Sequence, residues 1–281
     1  MEKGALYVVA TPIGNLDDMS RRAVDVLAGV DRIAAEDTRR SRRLLDHYGI
    51  ATPMVAVHEH NEQRVLGSLL QQLHDGRTLA LISDAGTPLI SDPGFALVRA
   101  ARQDGIRVIP IPGPSAVVCA LSAAGLPTDR FVFEGFLPAR SAGRRGRLQA
   151  LADEPRTVVF YEASHRIVDT LDDLVDIFGA AREALVAREL TKTFETIRSG
   201  PLAELAAWVR SDPDQQKGEF VLVIHGATPP GSGELDSEAR RVVDLLLEEL
   251  PVKQAAALAA RITGVARNRL YAYALQTSRE P

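Results

Sequence analysis

The stretch TLALISDAGTPLISDPG (residues 78–94) joins an apolar run to two polar turns. The run Thr78–Ile82 is short, uncharged and aliphatic, as a strand buried on both faces should be. Two Ser-Asp pairs follow it, Ser83-Asp84 and Ser91-Asp92, each close to a glycine and a proline. Glycine lets a backbone approach a ligand closely, and proline fixes a turn at low entropic cost. The stretch predicts a buried strand whose carboxyl end carries turns suited to holding a ligand.

The rest of the first half alternates strand and helix patterns around this stretch. Apolar runs predict four further strands, at Ala5–Ala10, Arg32–Ala35, Met54–His58 and Arg107–Gly113. Amphipathic segments between the runs predict the helices that connect them. Repeated β-α-β units with short connections indicate a mostly parallel sheet covered by helices. The fold class is therefore α/β, and we expect an N-terminal α/β domain over residues 1–122.

The second half changes character. Its strand-like runs are Phe131–Pro138, Thr157–Glu162, Glu183–Glu189 and Glu219–Gly226. Several of these runs lack a crossover helix between them, so we expect a mixed sheet in a second α/β domain over residues 123–228. A linker by composition, Gly226–Glu234, leads into a helical extension over residues 236–281. Within it, residues 251–275 match a helix-turn-helix, and a helical cap packing on the body is the alternative.

Composition excludes several classes of protein. The chain has 281 residues, a formal net charge of −4 and one cysteine, Cys119. A single thiol excludes an internal disulfide, and no run approaches the roughly 18 apolar residues of a membrane span. The N-terminus lacks the apolar core of a signal peptide. These observations predict a reduced, cytoplasmic location and no membrane partner.

Four strand ends carry unusual turns, and in an open α/β sheet ligands bind beyond the carboxyl ends of strands. The turns are Thr11–Asn15, Ser83–Pro88, Pro112–Ala116 and Ala163–Arg166. The first has only one glycine, and Pro12 removes a backbone donor, which disfavours a dinucleotide pyrophosphate. No Walker sequence occurs either. The loops favour an adenosine-containing ligand without an essential phosphate.

Nine motifs together resemble one protein family. In chain order they are ATPIGNLDDMSRRA, AEDTRR, HEHNE, ISDAGTPLISDPG, IPGPSA, FEGFLP, FYEASHR, ARELTKTFE and GEFVLVI. They are similar to the ribosomal RNA small subunit methyltransferase I family, within the tetrapyrrole-methylase-like (class III) S-adenosylmethionine methyltransferases. The resemblance implies two α/β domains with S-adenosylmethionine in the cleft between them, and a homodimer. It also implies 2′-O-methylation of a cytidine in the decoding region of small-subunit rRNA, as free rRNA or assembled 30S subunit.

The resemblance also implies which residues contact the cofactor. Positions that match the family's motifs are Pro12, Gly14, Asp84, Gly86, Thr87, Ser115, Ala116 and Tyr161. Ser83 and Ala85 depart from the G-D-P motif of the wider superfamily as the rRNA branch does, which argues against a tetrapyrrole substrate. Asp84 is the expected polar anchor. We expect Ser91 or Asp92 instead to cap the next helix, a structural role.

The acceptor hydroxyl is a poor nucleophile, so a base or a nearby cation should assist. We expect Lys192 to act with Glu162 or Glu195, the alternative being that these residues form ordinary ion pairs. Two arginine groups, Arg39, Arg40 and Arg43, and Arg144 and Arg145 in a loop over Arg140–Arg147, are expected to bind RNA phosphates. His58 and His60 lack the further ligands of a zinc site, so no metal is expected.

Two other functions remain open from the sequence. One is a class III methyltransferase acting on a small molecule such as a corrin or porphyrin precursor. The other is a non-catalytic RNA-binding relative that keeps the fold. The basic residue groups and the helical tail favour RNA over the small molecule, and the intact turn at Asp84 favours an enzyme.

Overall fold

The first half forms a five-stranded parallel sheet. The computed structural model describes residues 1–58, 60–227, 235 and 237–277. The strands, in chain order, are β1 (Leu6–Val9), β2 (Arg32–Ala35), β3 (Met54–Ala56), β4 (Leu79–Ile82) and β5 (Val108–Ile111). Their order across the sheet is β3-β2-β4-β1-β5. The strand that precedes the two polar turns therefore lies at the centre, beside β1, so the turns after both strands meet at one edge.

Helices cover both faces of this sheet. They are α1 (Arg21–Gly29), α2 (Thr38–His47), α3 (Glu62–His74) and α4 (Phe95–Gln103), whereas the helix after β5, α5 (Ala116–Ala123), packs against the second sheet. Side chains alternate across each strand, so Tyr7 belongs to the core on one face and Leu6 to the core on the other. Ser20 begins α1 by accepting the Ala23 N–H at 3.2 Å. Each strand predicted for this sheet is present, with bounds that are equal or shorter by a few residues.

The second half forms a mixed sheet, as predicted. Its strands are β6 (Phe131–Phe136), β7 (Thr157–Ala163), β8 (Glu183–Arg188), β9 (Thr196–Pro201) and β10 (Glu219–Ile224), in the order β6-β7-β10-β8-β9. Only β6 and β7 pair in parallel, and the other pairs are antiparallel. The helices are α6 (Ser141–Leu151), α7 (Ile167–Phe178) and α8 (Leu202–Ser211).

Helix α5 connects the two halves. Its Val117 and Ala120 are buried in one cluster with Val159, Leu185 and Val221 of the second sheet. A short helix of small residues thus brings the carboxyl edge of the first sheet against a face of the second. The turns after β1, β4 and β5 therefore face the ends of β7 and β8 across a cleft.

Two elements were not predicted. The segment Arg140–Arg147 was expected to be a loop, but it forms the N-cap and first two turns of α6, in which Leu148 and Leu151 are buried. Its glycines and arginines hide the apolar spacing that normally identifies a helix. Strand β9 is an edge strand that, within the described part of the chain, pairs with β8 alone. It is largely exposed, so it shows no apolar alternation.

Three helices form the C-terminal extension: α9 (Ser237–Glu249), α10 (Val252–Thr263) and α11 (Arg267–Thr277). Gly264, with φ +73°, ends α10 and donates its N–H to the Ala260 carbonyl, so the predicted turn lies where expected. Among the described residues, the buried cluster here comes from these helices and Leu235. Most of the predicted linker, residues 228–234, lies outside the described residues. Among the helices that are described, none is long and apolar enough to cross a membrane.

Candidate functional site

A cavity of about 450 Å³ lies in the cleft between the two sheets. This volume is within the range of small-molecule sites. The turns after β4 and β5 form one wall, and the ends of β7, β8 and β10 form the other. Of the residues that the sequence assigned to the cofactor, six line the cavity: Asp84, Gly86, Thr87, Ser115, Ala116 and Tyr161.

The turn after β4 is fixed from several sides. Thr11 and Gly86 exchange backbone hydrogen bonds, at 2.9 and 3.0 Å, which join the turns after β1 and β4. Gly86 has φ +81°, a conformation that glycine adopts without strain. Thr87 Oγ1 donates to the Pro114 carbonyl at 3.0 Å, joining the turn after β5 as well. The three turns therefore form one rigid wall.

Three carboxylates gather on this wall. Asp84 accepts hydrogen bonds from the Asp37 N–H at 3.1 Å and from Arg40 at 2.9 Å. Glu36 accepts the Asp84 N–H at 3.2 Å, and burial raises its pKa. Asp92 also lines the cavity, where burial raises its pKa to about 6 against a hydrogen bond from Ser83. A wall with this many acids favours a ligand that carries positive charge.

The position of Asp92 corrects the expected helix cap. The N-cap of α4 is Gly94, with φ +115°, and no side chain there accepts a helical N–H. Glu62 of the HEHNE motif supplies the acceptor instead, since the Leu97 N–H donates to its Oε1 at 3.0 Å. Both polar turns of residues 82–94 thus serve one cavity.

The opposite wall presents a lysine. Lys192 Nζ donates to Glu189 Oε1 and Glu219 Oε2, each at 2.8 Å. Burial alone would lower its pKa, but these carboxylates outweigh burial and raise the pKa. Lys192 therefore presents a fixed positive charge across the cleft from the acidic wall.

Glu162 and Glu195, which we expected to act with Lys192, do not contact it. Glu162 is buried, and its carboxylate is taken by Arg166 at 2.8 Å and Thr170 at 2.7 Å. Glu195 accepts the Thr191 N–H at 2.7 Å, so it closes the loop after β8 and makes no ion pair with Lys192. The carboxylates that do contact the lysine, Glu189 and Glu219, come together because β8 and β10 are antiparallel neighbours.

Pro12 and Gly14, also assigned to the cofactor, are not among the cavity-lining residues. Pro12 is buried in the turn after β1. Gly14 lies against the lysine stem, because a Cβ built on it would be 2.4 Å from Lys192 Cγ. The family resemblance assigned this glycine to the cofactor, whereas its neighbour in the structure is the lysine.

Backbone strain is concentrated at the cavity. Four non-glycine residues have left-handed φ among those that the structure describes: Leu89, Ser91, Glu189 and Thr191. They occupy two loops, and Ile90, Ser91, Leu190 and Lys192 of these loops line the cavity. Such conformations cost about 1–3 kcal/mol each and persist mainly at ligand sites. The strain is a second, independent indication that this cleft is functional.

An aromatic cluster closes one side of the cavity. The Tyr161 ring lies 4.9 Å from Phe133 and 5.5 Å from Phe136 between centroids, and Phe136 is 54% exposed. Burial and the Asp92 charge raise the pKa of Tyr161 to about 12. Phe136 and Glu219 were missed as site residues. In the sequence, Phe136 is one aromatic residue of FEGFLP and Glu219 is an acid directly after a glycine. Neither pattern identifies a site residue unless the three-dimensional contacts are known.

The first arginine group remains accessible. The side chains of Arg39 and Arg40 are 90% and 74% exposed, and Arg43 is also exposed. Arg40 also lines the cavity beside Asp84. This group, on α2, therefore lies at one lip of the cleft.

The second arginine group, Arg144 and Arg145, is not placed as expected for RNA binding. Arg144 is buried, and its Nε lies 2.6 Å from Asp173 Oδ2. Arg145 donates to Asp173 at 2.6 Å and to Asp176 at 3.0 Å. Because α6 turns Arg144 toward α7, on the face that also carries Leu148, its charge is neutralised inside the protein. The expected contact of Arg144 with RNA is therefore wrong, and Arg145 is already engaged.

The HEHNE motif is structural in the described part of the chain. The Asn61 side chain accepts the His58 N–H at 2.9 Å and donates to the Ala56 carbonyl at 3.0 Å, which closes the turn before α3. No group of three or more metal-ligating side chains occurs among the described residues.

Comparisons with known proteins agree with this architecture. A model of the tetrapyrrole (corrin/porphyrin) methylases matches residues 5–206, and a model of the RsmI C-terminal HTH domain matches residues 233–278. Crystal structures of diphthine synthase and of uroporphyrin-III C-methyltransferase from Thermus thermophilus with S-adenyl homocysteine superpose with TM-scores of 0.63 and 0.55. The diphthine synthase match is 16% identical and covers 79% of this chain and 90% of that protein. The uroporphyrin-III C-methyltransferase match is 17% identical and covers 79% of this chain and 97% of that protein. They share the fold.

Curated relatives match nearly end to end. The ribosomal RNA small subunit methyltransferase I of Pseudomonas aeruginosa is 62% identical, covering 98% of both chains. The Escherichia coli protein of the same name is 55% identical, covering 98% of this chain and 96% of its own. The chain therefore belongs to the ribosomal RNA small subunit methyltransferase I family, which has the tetrapyrrole methylase fold.

Proposed function

We propose that this protein methylates the ribose 2′-hydroxyl of a cytidine in the decoding region of small-subunit rRNA, using S-adenosylmethionine. The observation that carries the proposal is the cavity itself, in which an acidic wall faces a fixed lysine across a cleft. The rRNA substrate is supported by relatives that carry this name over nearly the whole chain. We further propose a cytoplasmic homodimer acting on rRNA, free or in the 30S subunit, as the family resemblance implies.

The residues of the cavity suit the cofactor. S-adenosylmethionine carries a sulfonium and an ammonium group, and Glu36, Asp84 and Asp92 supply the opposite charge. The apolar faces of Phe136 and Tyr161 suit its adenine. The turns at Gly86–Thr87 and Ser115–Ala116 offer backbone groups to its polar edges. When bound, the cofactor would supply a methyl group on positively charged sulfur, whose S–C bond breaks as the new O–C bond forms.

The protein's own part in the reaction is to orient the hydroxyl and remove its proton. Lys192 presents a positive charge, which favours the oxygen as its negative charge develops. Glu219 contacts the lysine, lines the cavity and has a side chain that is 79% exposed. We assign the released proton to the Glu219 carboxylate, which passes it to water. This replaces Glu162 and Glu195, whose carboxylates hold other groups.

Two basic surfaces would hold the RNA. The first is the lip formed by Arg39, Arg40 and Arg43. The second is the pair of helices α10 and α11, whose residues 252–277 include Lys253, Arg261, Arg267 and Arg269 but no Asp or Glu. A local basic surface binds phosphate even though the chain's net charge is −4.

Methyl transfer from radiolabelled S-adenosylmethionine to 16S rRNA and to 30S subunits tests the proposal. We expect one labelled cytidine whose 3′ phosphodiester resists alkaline cleavage, because a 2′-O-methyl group blocks the attacking hydroxyl. We expect Lys192→Met to retain cofactor binding and lose transfer. Label on a base, or full activity of Lys192→Met, would overturn the position of methylation or the role of the lysine, respectively.

A further inference from the structure

The ammonium group of Lys192 is held in one rotational state. A lysine ammonium has three N–H donors. Two of them go to Glu189 Oε1 and Glu219 Oε2, both at 2.8 Å. With two directions fixed, the third is fixed as well. Two of the three donors are used and Lys192 lines the cavity, so the third donor is available to a ligand.

Glu189 is the rigid member of this pair. Its Oε1 also accepts the Glu219 N–H at 2.9 Å, and its own N–H donates to the Glu219 carbonyl at 2.9 Å. Gly218 makes room for the carboxylate, since a Cβ built there would lie 2.5 Å from Glu189 Cδ and Oε1. The Glu219 side chain, by contrast, is 79% exposed.

The backbone of Glu189 is unusual for its residue type. Its φ is +51°, a conformation that glycine or asparagine adopts more readily than glutamate. The next turn is fixed too: Lys192 N–H donates to the Glu189 carbonyl at 3.0 Å, and Thr191 Oγ1 accepts the Asn15 N–H at 3.1 Å. Glu189 is strained, Gly218 makes room for it and Lys192 contacts it. Strain of this kind is kept where a side chain has a function, so we infer that a carboxylate is needed at this position.

We propose that Glu189 is a positioning residue that directs the remaining N–H of Lys192 toward the acceptor oxygen of the substrate. The inference rests on the proposed function, because it takes Lys192 as the group that contacts this oxygen. A donor fixed before the substrate arrives needs no reorganisation in the transition state. Glu189 acts through Lys192 and does not touch the substrate.

Two substitutions separate positioning from charge. Glu189→Ala removes the acceptor, whereas Glu189→Gln keeps an oxygen at the same place and loses the charge. We expect Glu189→Ala to lower kcat by about 100-fold, with KM for rRNA and Kd for S-adenosylmethionine changed less than about twofold. We expect Glu189→Gln to recover much of that loss. Glu154→Gln is the matched control, a glutamate of similar exposure ion-paired to Arg156 outside the cavity-lining set.

A second measurement needs no turnover. The rate at which acetic anhydride acylates Lys192 in the cofactor-free protein, followed by mass spectrometry against pH, reports the lysine's pKa. That pKa should fall in both Glu189 variants and stay unchanged in Glu154→Gln. Near-normal melting temperatures show that the variants fold.

Each remaining outcome decides the matter. If Glu189→Ala keeps the wild-type kcat while Lys192→Met abolishes transfer, the positioning role is wrong and the proposed function stands. If Lys192→Met is fully active, the lysine has no role and the inference fails with it. If methylation occurs at another atom of the rRNA, the proposed function is wrong, and the Glu189 series still tests positioning through kcat. Equal losses in the Ala and Gln variants would mean that charge alone matters, which also overturns positioning.

Discussion

Arg144 and Asp173 form a buried ion pair between α6 and α7, with Nε 2.6 Å from Oδ2. The side chains are 5% and 9% exposed. Asp173 also accepts from Arg145, so one carboxylate contacts two arginines. This pair joins two helices of the second half and keeps Arg144 from any external phosphate.

Replacement of Arg144 by methionine should therefore destabilise the fold. Removing one partner of a buried pair costs up to about 3–5 kcal/mol when the remaining charge has no other partner. Arg145 still contacts Asp173 here, so we expect a loss below that range. Urea denaturation measures the loss in the free energy of unfolding. Arg130→Met, at a side chain that is 80% exposed, should change it by less than about 0.5 kcal/mol. A stable Arg144→Met protein with weakened RNA binding would contradict this interpretation.

The Asp92 carboxylate should make cofactor affinity depend on pH. Its pKa of about 6 means that it loses its charge as the pH falls through that value. A cationic ligand then loses one attractive partner, so we expect affinity to fall below pH 6. Titration calorimetry between pH 5 and 8 measures this. The Asp92→Asn protein should bind weakly at every pH, and a wild-type affinity that is flat across pH 6 would refute the role.

The same residue should oppose stability at neutral pH. The folded-state pKa is raised from 3.8 to about 6, so the folded protein binds this proton more tightly than the unfolded chain. Stability from this group is present below pH 4 and lost as the pH rises through 6. Asp92→Asn should therefore raise the melting temperature of the cofactor-free protein at pH 8 while weakening cofactor binding. Asp129→Asn, at an exposed side chain, is the control for both measurements.

Gly14→Ala should impair turnover more than cofactor binding. The new methyl group meets Lys192 Cγ at 2.4 Å and Thr191 Oγ1 at 2.8 Å, so the lysine stem must move. A displacement of this kind lowers kcat by roughly 10- to 100-fold. Single-turnover kinetics and calorimetry separate the two effects. Gly67→Ala, in the open on α3, should leave kcat unchanged. A loss of cofactor affinity equal to the loss of kcat would mean that Gly14 contacts the cofactor.

The helices α10 and α11 should contribute to rRNA affinity. Lys253, Arg261 and Arg267 are exposed, and no salt bridge is found for them within the described part of the chain. Changing all three to glutamine should weaken binding and reduce the slope of log K against log salt by about one per lost phosphate contact. Cofactor affinity should not change. Arg241→Gln, which removes a partner of Glu238 on α9, is the control. Unchanged RNA binding would mean that these helices pack on the body of the protein and do not bind RNA.

The sequence predicted what is local and missed what depends on pairing. Strand β2 has the predicted bounds, Arg32–Ala35, and Asp84 lies on the cavity, because an apolar run and its terminal turn are contiguous. The contact of Lys192 with Glu219 follows from the register of β8 against β10, 27 residues apart in the chain. Arg144 was misplaced because its exposure depends on which face of α6 meets α7. No single segment encodes either fact.

The strained backbones of Leu89, Ser91, Glu189 and Thr191 bear on any attempt to evolve this protein in the laboratory. Selection for heat resistance alone would reward glycine or asparagine at these positions, because relief of each conformation is worth about 1–3 kcal/mol. Those same exchanges would loosen both loops at the cavity. The easiest gains in thermal tolerance would therefore be made at the expense of catalysis, so a screen for robustness should hold these four positions constant.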